Sequence, residues 1–184
     1  MRNNFPQIMK WILASEGGYV DNPRDPGGAT NLGVTIAVLR AWRKRPVSRQ
    51  EVRSLSVAEA MLIYDANYWK HIFGDGLPSG VDYAMMDAAV NSGVSRSIKW
   101  LQQVLKVPQT GHIDTLTVAA VTRVTDKVKL VKSYNAARLG FMQSLRIWST
   151  FGKGWGIRVR QVTSRSIILA THVAPAAAHI ISHH

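Results

Sequence analysis

The chain has 184 residues, of which 46% are hydrophobic and 18% are charged. These values are typical of a globular protein and exclude a disordered or collagen-like chain. The chain contains no cysteine, which excludes disulfides, thiolate metal sites and cysteine nucleophiles. Its formal charge is +12, and residues 96–184 carry 13 basic and 2 acidic side chains against 10 and 9 in residues 1–95.

The strongly basic second half predicts an acidic partner. The positive electrostatic field of so many basic residues attracts nucleic acid, anionic lipid and acidic wall polymers alike. The alternative is a basic surface that serves only solubility. No RNA-binding aromatic motif or zinc finger accompanies the charge, so we expect no nucleic-acid partner. The basic run fits contact with an anionic polymer or lipid of the cell envelope, and it comprises Lys127, Lys129, Lys132, Arg138 and Arg146.

Helical periodicity dominates the first half of the sequence. Asn4 is placed to cap a first helix, which ends at Gly17 and Gly18, and the glycine- and proline-rich residues 17–35 predict turns with a short hairpin. Further helices are predicted over residues 36–44, after capping-box patterns at 48–51 and 56–59, the second running toward Trp69, and over residues 81–91.

The second half is predicted to be helical as well. Ser95 is placed to cap a helix over residues 96–106, a short helix begins near Thr115, and a long one runs from Asp126 toward residue 147. Three glycines at 152, 154 and 156 are expected to break the pattern before a final segment from residue 157. We predict a catalytic part over residues 1–94, a helical part over 95–170 packed on it, and a tail over 171–184.

No cleavable secretory signal is expected, because the apolar residues 8–15 are too short and lack a basic flank. No stretch of about 18 uninterrupted apolar residues predicts a membrane span. The six histidines show no metal-ligand spacing beside carboxylates. We therefore expect no metal and no other cofactor.

Glu16 is the most informative residue for function. It stands at the C-terminal end of the first helix, where the negative end of the helix dipole disfavours a carboxylate. It also shares a face with Met9, Ile12 and Leu13, so partial desolvation should act in the same direction. Both effects raise a carboxyl pKa, as a general acid near neutral pH requires; a surface glutamate at a frayed helix end is the alternative.

The segment that begins at Glu16 reads EGGYVDNPRDPGGATNLGVT over residues 16–35. It resembles the glycine-rich signature of the glycoside hydrolase family 108 muramidases, a set of phage endolysins and secretion-linked bacterial wall hydrolases. The resemblance continues through residues 8–160, in Ile63-Tyr64, Tyr68-Trp69, the segment DAAVNSG over residues 87–93, Leu101-Gln102, Arg138, and Gly154-Trp155 with Arg158.

The resemblance implies a mainly α, lysozyme-like α+β fold with a small hairpin or loop region after the first helix. It also implies cleavage of the peptidoglycan glycan at N-acetylmuramic acid, with Glu16 as the catalytic glutamate. A looser likeness to the Glu/Asp/Thr arrangement of phage lysozymes adds Asp25 and Thr30 as catalytic candidates. The expected partner is a peptidoglycan glycan strand, and the expected oligomeric state is a monomer.

Glycoside hydrolysis needs an acid for the leaving oxygen and an anion that stabilises the transition state or activates water. Glu16 is the predicted acid, Asp25 the anion, and Thr30 a hydroxyl that could hold the water. This pairing suits inversion, but the outcome depends on the carboxyl separation. For Asp25 an Asx-type turn before proline is the alternative, and Thr30 could be a plain loop residue.

Aromatic and amide side chains supply candidates for sugar binding. We select Tyr19 and Asn91 as substrate-binding residues. Tyr64 and Tyr68 are also able to stack on sugars, although their spacing of four residues on one helix favours core packing. Residues 95–124 look like a short peptidoglycan-binding helical module, or they complete the lysozyme-like core.

Two other functions remain open at this point. A lytic transglycosylase would use one glutamate on the same glycan and produce an anhydro sugar. A non-catalytic basic module would bind the cell wall without cleaving it. If the chain is a muramidase, we expect it to be made in the cytoplasm and to act on periplasmic peptidoglycan, after release through a holin or a secretion machinery.

Overall fold

A computed structural model of the chain describes residues 4–21 and 27–172. These residues are mainly α-helical, with one two-stranded antiparallel sheet. The sheet follows the first helix, as the sequence predicts. Asp25 and residues 173–184, which make up most of the predicted tail, lie outside the described residues.

Helix α1 spans Phe5–Glu16 and buries Ile8, Met9 and Ile12. Asn4 stands at its N-terminus as predicted, but its side chain donates a hydrogen bond to Asp82 Oδ2 at 2.8 Å and does not cap the helix. The helix ends at Glu16 because Gly17 adopts a φ of 81°, which glycine tolerates without steric cost.

The predicted hairpin consists of β1 (Thr30–Asn31) and β2 (Val34–Thr35). Thr30 pairs with Thr35, and Asn31 pairs with Val34. The turn between the strands contains Gly33 with a φ of 73°. An isolated bridge between Val20 and Thr30 connects the hairpin to the segment that follows α1, so the hairpin lies beside the end of that helix.

Three short helices follow the hairpin, namely α2 (Ile36–Arg43), α3 (Arg49–Arg53) and α4 (Val57–Tyr64). The predicted capping box at Ser48 and Glu51 is present in full. At α4 only half of the predicted box forms, because the Ser56 side chain accepts from the Glu59 N–H while the Glu59 carboxylate pairs with Arg43 at 2.6 Å. A π-helical turn, Asp65–Trp69, extends α4, and a 3₁₀ turn follows at Gly74–Gly76.

Helix α5 (Val81–Ser92) is buried along almost its whole length, from Val81 through Ala89. Helix α6 (Val94–Leu105) follows after a single residue, Gly93. The predicted cap at Ser95 is wrong, since Gly93 with a φ of 87° forms the junction and Ser95 lies inside the helix. The combination of φ 87° and ψ 149° at Gly93 is accessible essentially only to glycine, and this local requirement decides where the helix begins.

The last three helices are α7 (Thr115–Thr122), α8 (Lys127–Gln143) and α9 (Trp148–Thr171). The predicted break at the three glycines is wrong, because α9 runs through them without interruption. Gly152 and Gly156 are buried, and a Cβ atom at position 152 would approach the Trp148 ring to 2.6 Å. Gly152 thus leaves room for the Trp148 ring one turn earlier, and the helix continues despite the low helix propensity of glycine.

The hydrophobic core surrounds α5, which packs against α6, α8 and α9. Core side chains come from both sides of the predicted boundary at residue 95, for example Met85 and Met86 before it, and Leu101 and Tyr134 after it. The division into two parts stays a prediction. Among the described residues, no helix is both long enough and apolar enough to cross a membrane.

Gln102 organises the segment between α6 and α7. Its side-chain nitrogen, which has two hydrogens to donate, lies 2.8 Å from Thr110 Oγ1, 2.8 Å from the His112 carbonyl oxygen and 2.9 Å from Thr117 Oγ1, while its oxygen accepts from Gly111 N at 2.9 Å. The residue is fully buried, so every polar atom needs such a partner. The Leu101-Gln102 pattern therefore has a structural explanation.

Candidate active site

Glu16 is the last residue of α1, and its carboxylate is half-buried, with 22% of the side chain exposed. The predicted position at a helix end is confirmed. Ile8, Met9 and Ile12 form the buried face of this helix, while the two glycines that follow Glu16 leave no side chain over it. The end of the helix is therefore held in place by buried contacts, and residues 17 and 18 place no side chain over the Glu16 carboxylate.

The hairpin lies against Glu16 at one residue, Gly33. A Cβ atom at this position would lie 3.1 Å from both Cγ and Oε2 of Glu16, and still closer to the Tyr64 hydroxyl. That hydroxyl donates a hydrogen bond to the Leu32 carbonyl at 3.1 Å. The absence of a side chain at Gly33 therefore allows α1, the hairpin and α4 to meet at the carboxylate.

Two tyrosines lie on the side of Glu16 that faces α4. Tyr64 is buried and Tyr68 half-buried, and their ring centroids are 5.5 Å apart. Burial, and after it the negative charge of Glu16, raises the pKa of both phenols above the ordinary value. Both hydroxyls therefore stay neutral at physiological pH and remain hydrogen-bond donors.

A cation approaches Glu16 from the distant end of the chain. Arg158 of α9 places Nη2 at 3.5 Å from Glu16 Oε1, a contact between residues 142 positions apart. The same guanidinium donates to Asp87 Oδ1, from Nη2 at 2.8 Å and from Nε at 3.0 Å. Although burial lowers the pKa of Arg158, Asp87 and then Glu16 raise it above the ordinary value, so the group is a permanent cation.

Asp87 in turn is held by a second arginine. Arg138 of α8 donates from Nη1 to Asp87 Oδ2 at 2.7 Å, and the two side chains are 0% and 3% exposed. Buried charges are stable only when they are paired and hydrogen-bonded. The order Arg138, Asp87, Arg158, Glu16 therefore forms a chain of alternating charge, which we call the site ion-pair chain.

This arrangement corrects one sequence-based interpretation. Arg138 was grouped with the basic run that faces an anionic polymer or lipid, but it is completely buried and its charge is used inside the protein. The lysines at 127, 129 and 132 and Arg146 are exposed, so they alone stay candidates for such contact.

Asn91 is brought to the same region. It lies in the last turn of α5, is exposed, and donates from Nδ2 to the Asp87 carbonyl at 2.7 Å. Together with Arg158 it lines a cavity of about 380 Å³ between α5, α8 and α9. Glu16 is not part of the cavity lining, but Arg158, which lines the cavity, also contacts the Glu16 carboxylate at 3.5 Å.

The other predicted residues have different surroundings. The Tyr19 hydroxyl donates to Asp21 Oδ2 at 3.2 Å, and the Arg53 guanidinium covers the ring at 4.5 Å from its centroid, so protein groups engage both its polar and its aromatic part. The Thr30 hydroxyl donates to the Gly28 carbonyl at 3.3 Å. Asp25 lies outside the described residues, and its role stays a prediction.

Sequence reasoning assigned no role in the active site to Asp87, Arg138 or Arg158, although all three belong to the family resemblance. A signal for Asp87 was present, since it is an acid within the apolar stretch VDYAMMDAAV over residues 81–90. A carboxylate on a buried helix requires a cationic partner. Within residues 4–21 and 27–172, no group of three or more histidine, aspartate or glutamate side chains is placed to hold a metal ion.

The glycosyl hydrolase 108 family model matches residues 9–93, which include Glu16, the hairpin and Asp87. The solved structure of Brucella abortus SagA is 44% identical in sequence and superposes with a TM-score of 0.81. The match covers 94% of this chain and 98% of that chain. The chain belongs to glycosyl hydrolase family 108. No curated protein sequence matched it.

Membership in glycosyl hydrolase family 108 makes the chain a glycoside hydrolase that acts on the glycan of peptidoglycan. It also confirms the mainly α, lysozyme-like fold with a small hairpin after the first helix. The likeness to SagA extends beyond the family model into α9, the helix that carries Arg158.

Proposed function

We propose that this family 108 enzyme is an N-acetylmuramidase, which hydrolyses the bond between N-acetylmuramic acid and N-acetylglucosamine with Glu16 as the general acid. The observation that carries the proposal is the position of the Glu16 carboxylate. It is half-buried at the end of a packed helix and contacts Arg158 at 3.5 Å, the residue that also lines the cavity beside Asn91.

In this proposal Glu16 donates a proton to the glycosidic oxygen as the bond breaks. The site ion-pair chain fixes the carboxyl group laterally, so that proton donation needs no search for the correct rotamer. The neutral Tyr64 and Tyr68 close the side toward α4 and reduce the access of water. Arg158 provides a permanent positive charge that stabilises the Glu16 carboxylate left after the proton has been transferred to the leaving oxygen.

Glycoside hydrolysis also needs a second group that serves the anomeric carbon. We assign this role to Asp25, which precedes the hairpin in the sequence, and we assign orientation of the attacking water to Thr30. If the water attacks directly, the product has inverted configuration, whereas a covalent intermediate gives retention. The configuration of the first product, followed by NMR during early turnover, distinguishes these two courses.

Product analysis tests the bond and the reaction type together. Purified Gram-negative peptidoglycan is digested, half of the digest is reduced with borohydride, and the fragments are analysed by mass spectrometry. The proposal predicts new reducing ends on N-acetylmuramic acid only. Reducing ends on N-acetylglucosamine would contradict the assigned bond, and anhydro products, lighter by one water, would identify a lytic transglycosylase.

We further propose that the enzyme acts as a monomer on periplasmic peptidoglycan. The exposed lysines of α8 at positions 127, 129 and 132, with Arg146, support retention at an anionic envelope surface. Attraction of this kind weakens as salt screens the charges. Binding to purified sacculi should therefore decrease between low and physiological ionic strength, while sedimentation should give the mass of a single chain.

A further inference from the structure

The cavity beside the site ion-pair chain has an unusual lining. Three arginines reach it, from α6, α8 and α9, together with one amide and two aromatic rings; these residues are Arg96, Arg138, Arg158, Asn91, Phe141 and Trp155. The volume of about 380 Å³ lies within the range of small-ligand sites. It is large enough for one or two amino-acid residues and too small for a folded partner.

Positive charge exceeds negative charge around this cavity. Three guanidinium groups face two carboxylates, since Asp87 pairs with both Arg138 and Arg158, and Glu16 pairs with Arg158. Arg96 is exposed and lies over the Phe141 ring at 4.4 Å from its centroid. Among the residues that the structure describes, one cation is therefore not balanced by a carboxylate, and a wall of low polarity strengthens its attraction for an anion.

Arg138 provides a second, independent observation. Its side chain is 0% exposed, yet Nε and Nη2 have no hydrogen-bond partner within the part of the chain that the structure describes. Leaving buried N–H groups of a charged side chain without acceptors is costly. Arg138 is one of the residues that line the cavity, so an acceptor that reaches these nitrogens from the cavity side would remove that cost.

We propose that this cavity binds a carboxylate of the acidic peptide that the glycan strand carries, and so selects peptide-bearing strands with a free carboxyl group. The planar fork of arginine matches a carboxylate by two parallel hydrogen bonds. The Asn91 amide and the Trp155 ring contact the peptide that leads to it. Because Arg158 contacts both this cavity and Glu16, the bound carboxylate anchors the strand beside the scissile bond.

The proposal rests on the proposed function, so its test uses binding as well as turnover. The full-length Glu16→Gln variant is used because it should bind the ligands without cleaving them. Calorimetry measures its affinity for two disaccharide-peptides of equal length, one with free carboxylates and one with those carboxylates amidated. Charge-assisted hydrogen bonds of this kind predict about tenfold tighter binding of the acidic ligand. Inorganic phosphate serves as a competing anion that lacks the peptide.

Two variants test whether the cavity causes the preference for the acidic ligand over the amidated one. Arg96→Gln, made in an exposed residue and expected to fold, should reduce the preference for the acidic ligand about threefold or more. Arg123→Gln removes the same charge from an exposed position on α7's C-terminal end and should leave the preference intact. Circular dichroism and thermal unfolding of both variants verify that the fold is retained.

Equal affinity for the acidic and amidated ligands would overturn the proposal, even if product analysis confirms muramidase activity. An equal loss of preference in Arg96→Gln and Arg123→Gln would overturn it too, because the preference would then arise from overall charge. Displacement of both ligands by millimolar phosphate would also overturn it, because the cavity would then bind anions in general and not the peptide carboxylate. If no glycan is cleaved but the preference persists, the proposed function fails while the carboxylate site stands.

Discussion

Replacement of Asp87 by asparagine is the most informative perturbation of the site ion-pair chain. The Asp87 carboxylate accepts three hydrogen bonds, two from Arg158 and one from Arg138. Asparagine has nearly the same size but carries no charge, and its NH₂ group would face a guanidinium. The substitution thus leaves two arginines without their shared counter-ion and creates no cavity.

The expected cost follows from the burial of the two cations. Removal of one partner from a buried ion pair costs about 3–5 kcal/mol, and the lower end applies because Arg158 is 26% exposed and keeps some contact with water. A loss of about 3 kcal/mol is a large part of the ~5–15 kcal/mol by which domains are stable. In a domain of this size it should lower Tm by about 6–12 °C.

Thermal unfolding followed by circular dichroism measures this effect. Asp65→Asn is a matched control, because Asp65 pairs with Lys70 at 3.0 Å near the surface, where the side chains are 27% and 70% exposed. Such pairs contribute about 0–1 kcal/mol. If Asp87→Asn lowers Tm no more than Asp65→Asn does, the buried charge network has no structural role and the reasoning is refuted.

Two further predictions concern the hairpin and the decrease of folding stability at acidic pH. Gly33→Ala should reduce activity at least tenfold, because its Cβ would collide with the Tyr64 hydroxyl and press on Glu16 at 3.1 Å. Gly93→Ala has a similar positive φ of 87° but open space around it, so it should lose stability through backbone strain alone and retain activity. Hydrogen bonds, first of all from Arg45, lower the pKa of Glu51 to about 2. The stability that Glu51 provides is therefore complete above pH 4.5 and is lost as the pH falls toward 2. In denaturant titrations, the free energy of unfolding of Glu51→Gln should decrease less between pH 4.5 and 2 than that of the wild type. An equal decrease in both proteins would contradict the stabilising role of Glu51.

Local features of this fold could be predicted from the sequence because local rules determine them. The capping box at Ser48, the end of α1 at Gly17 and the hairpin after it all depend on residues a few positions apart. The same rules placed Glu16 at a helix end, which proved correct. They gave the wrong start for α6 because a serine suited to capping lies two residues beyond the glycine that the backbone requires.

The long-range part of the site could not be derived in this way. Arg158 reaches Glu16 across 142 positions, and Asp87 lies 71 positions from Arg158. An aspartate in an apolar stretch predicts a cationic partner. Thirteen basic residues follow residue 95, and the sequence does not show which of them reaches Asp87; in the structure, α8 and α9 provide Arg138 and Arg158. The glycines of α9 mislead for the same reason, since tertiary packing outweighs helix propensity.

The central claim is that the Glu16 carboxyl group donates the catalytic proton, and the most direct test is the turnover of Glu16→Gln on purified peptidoglycan. The loss of a general acid predicts a rate reduced by a factor of about 10² to 10⁴, with Tm nearly unchanged because the side chain is half-buried. Glu59→Gln alters another glutamate that pairs with an arginine, Arg43, and should keep its activity. Wall cleavage by Glu16→Gln at the wild-type rate would contradict the claim.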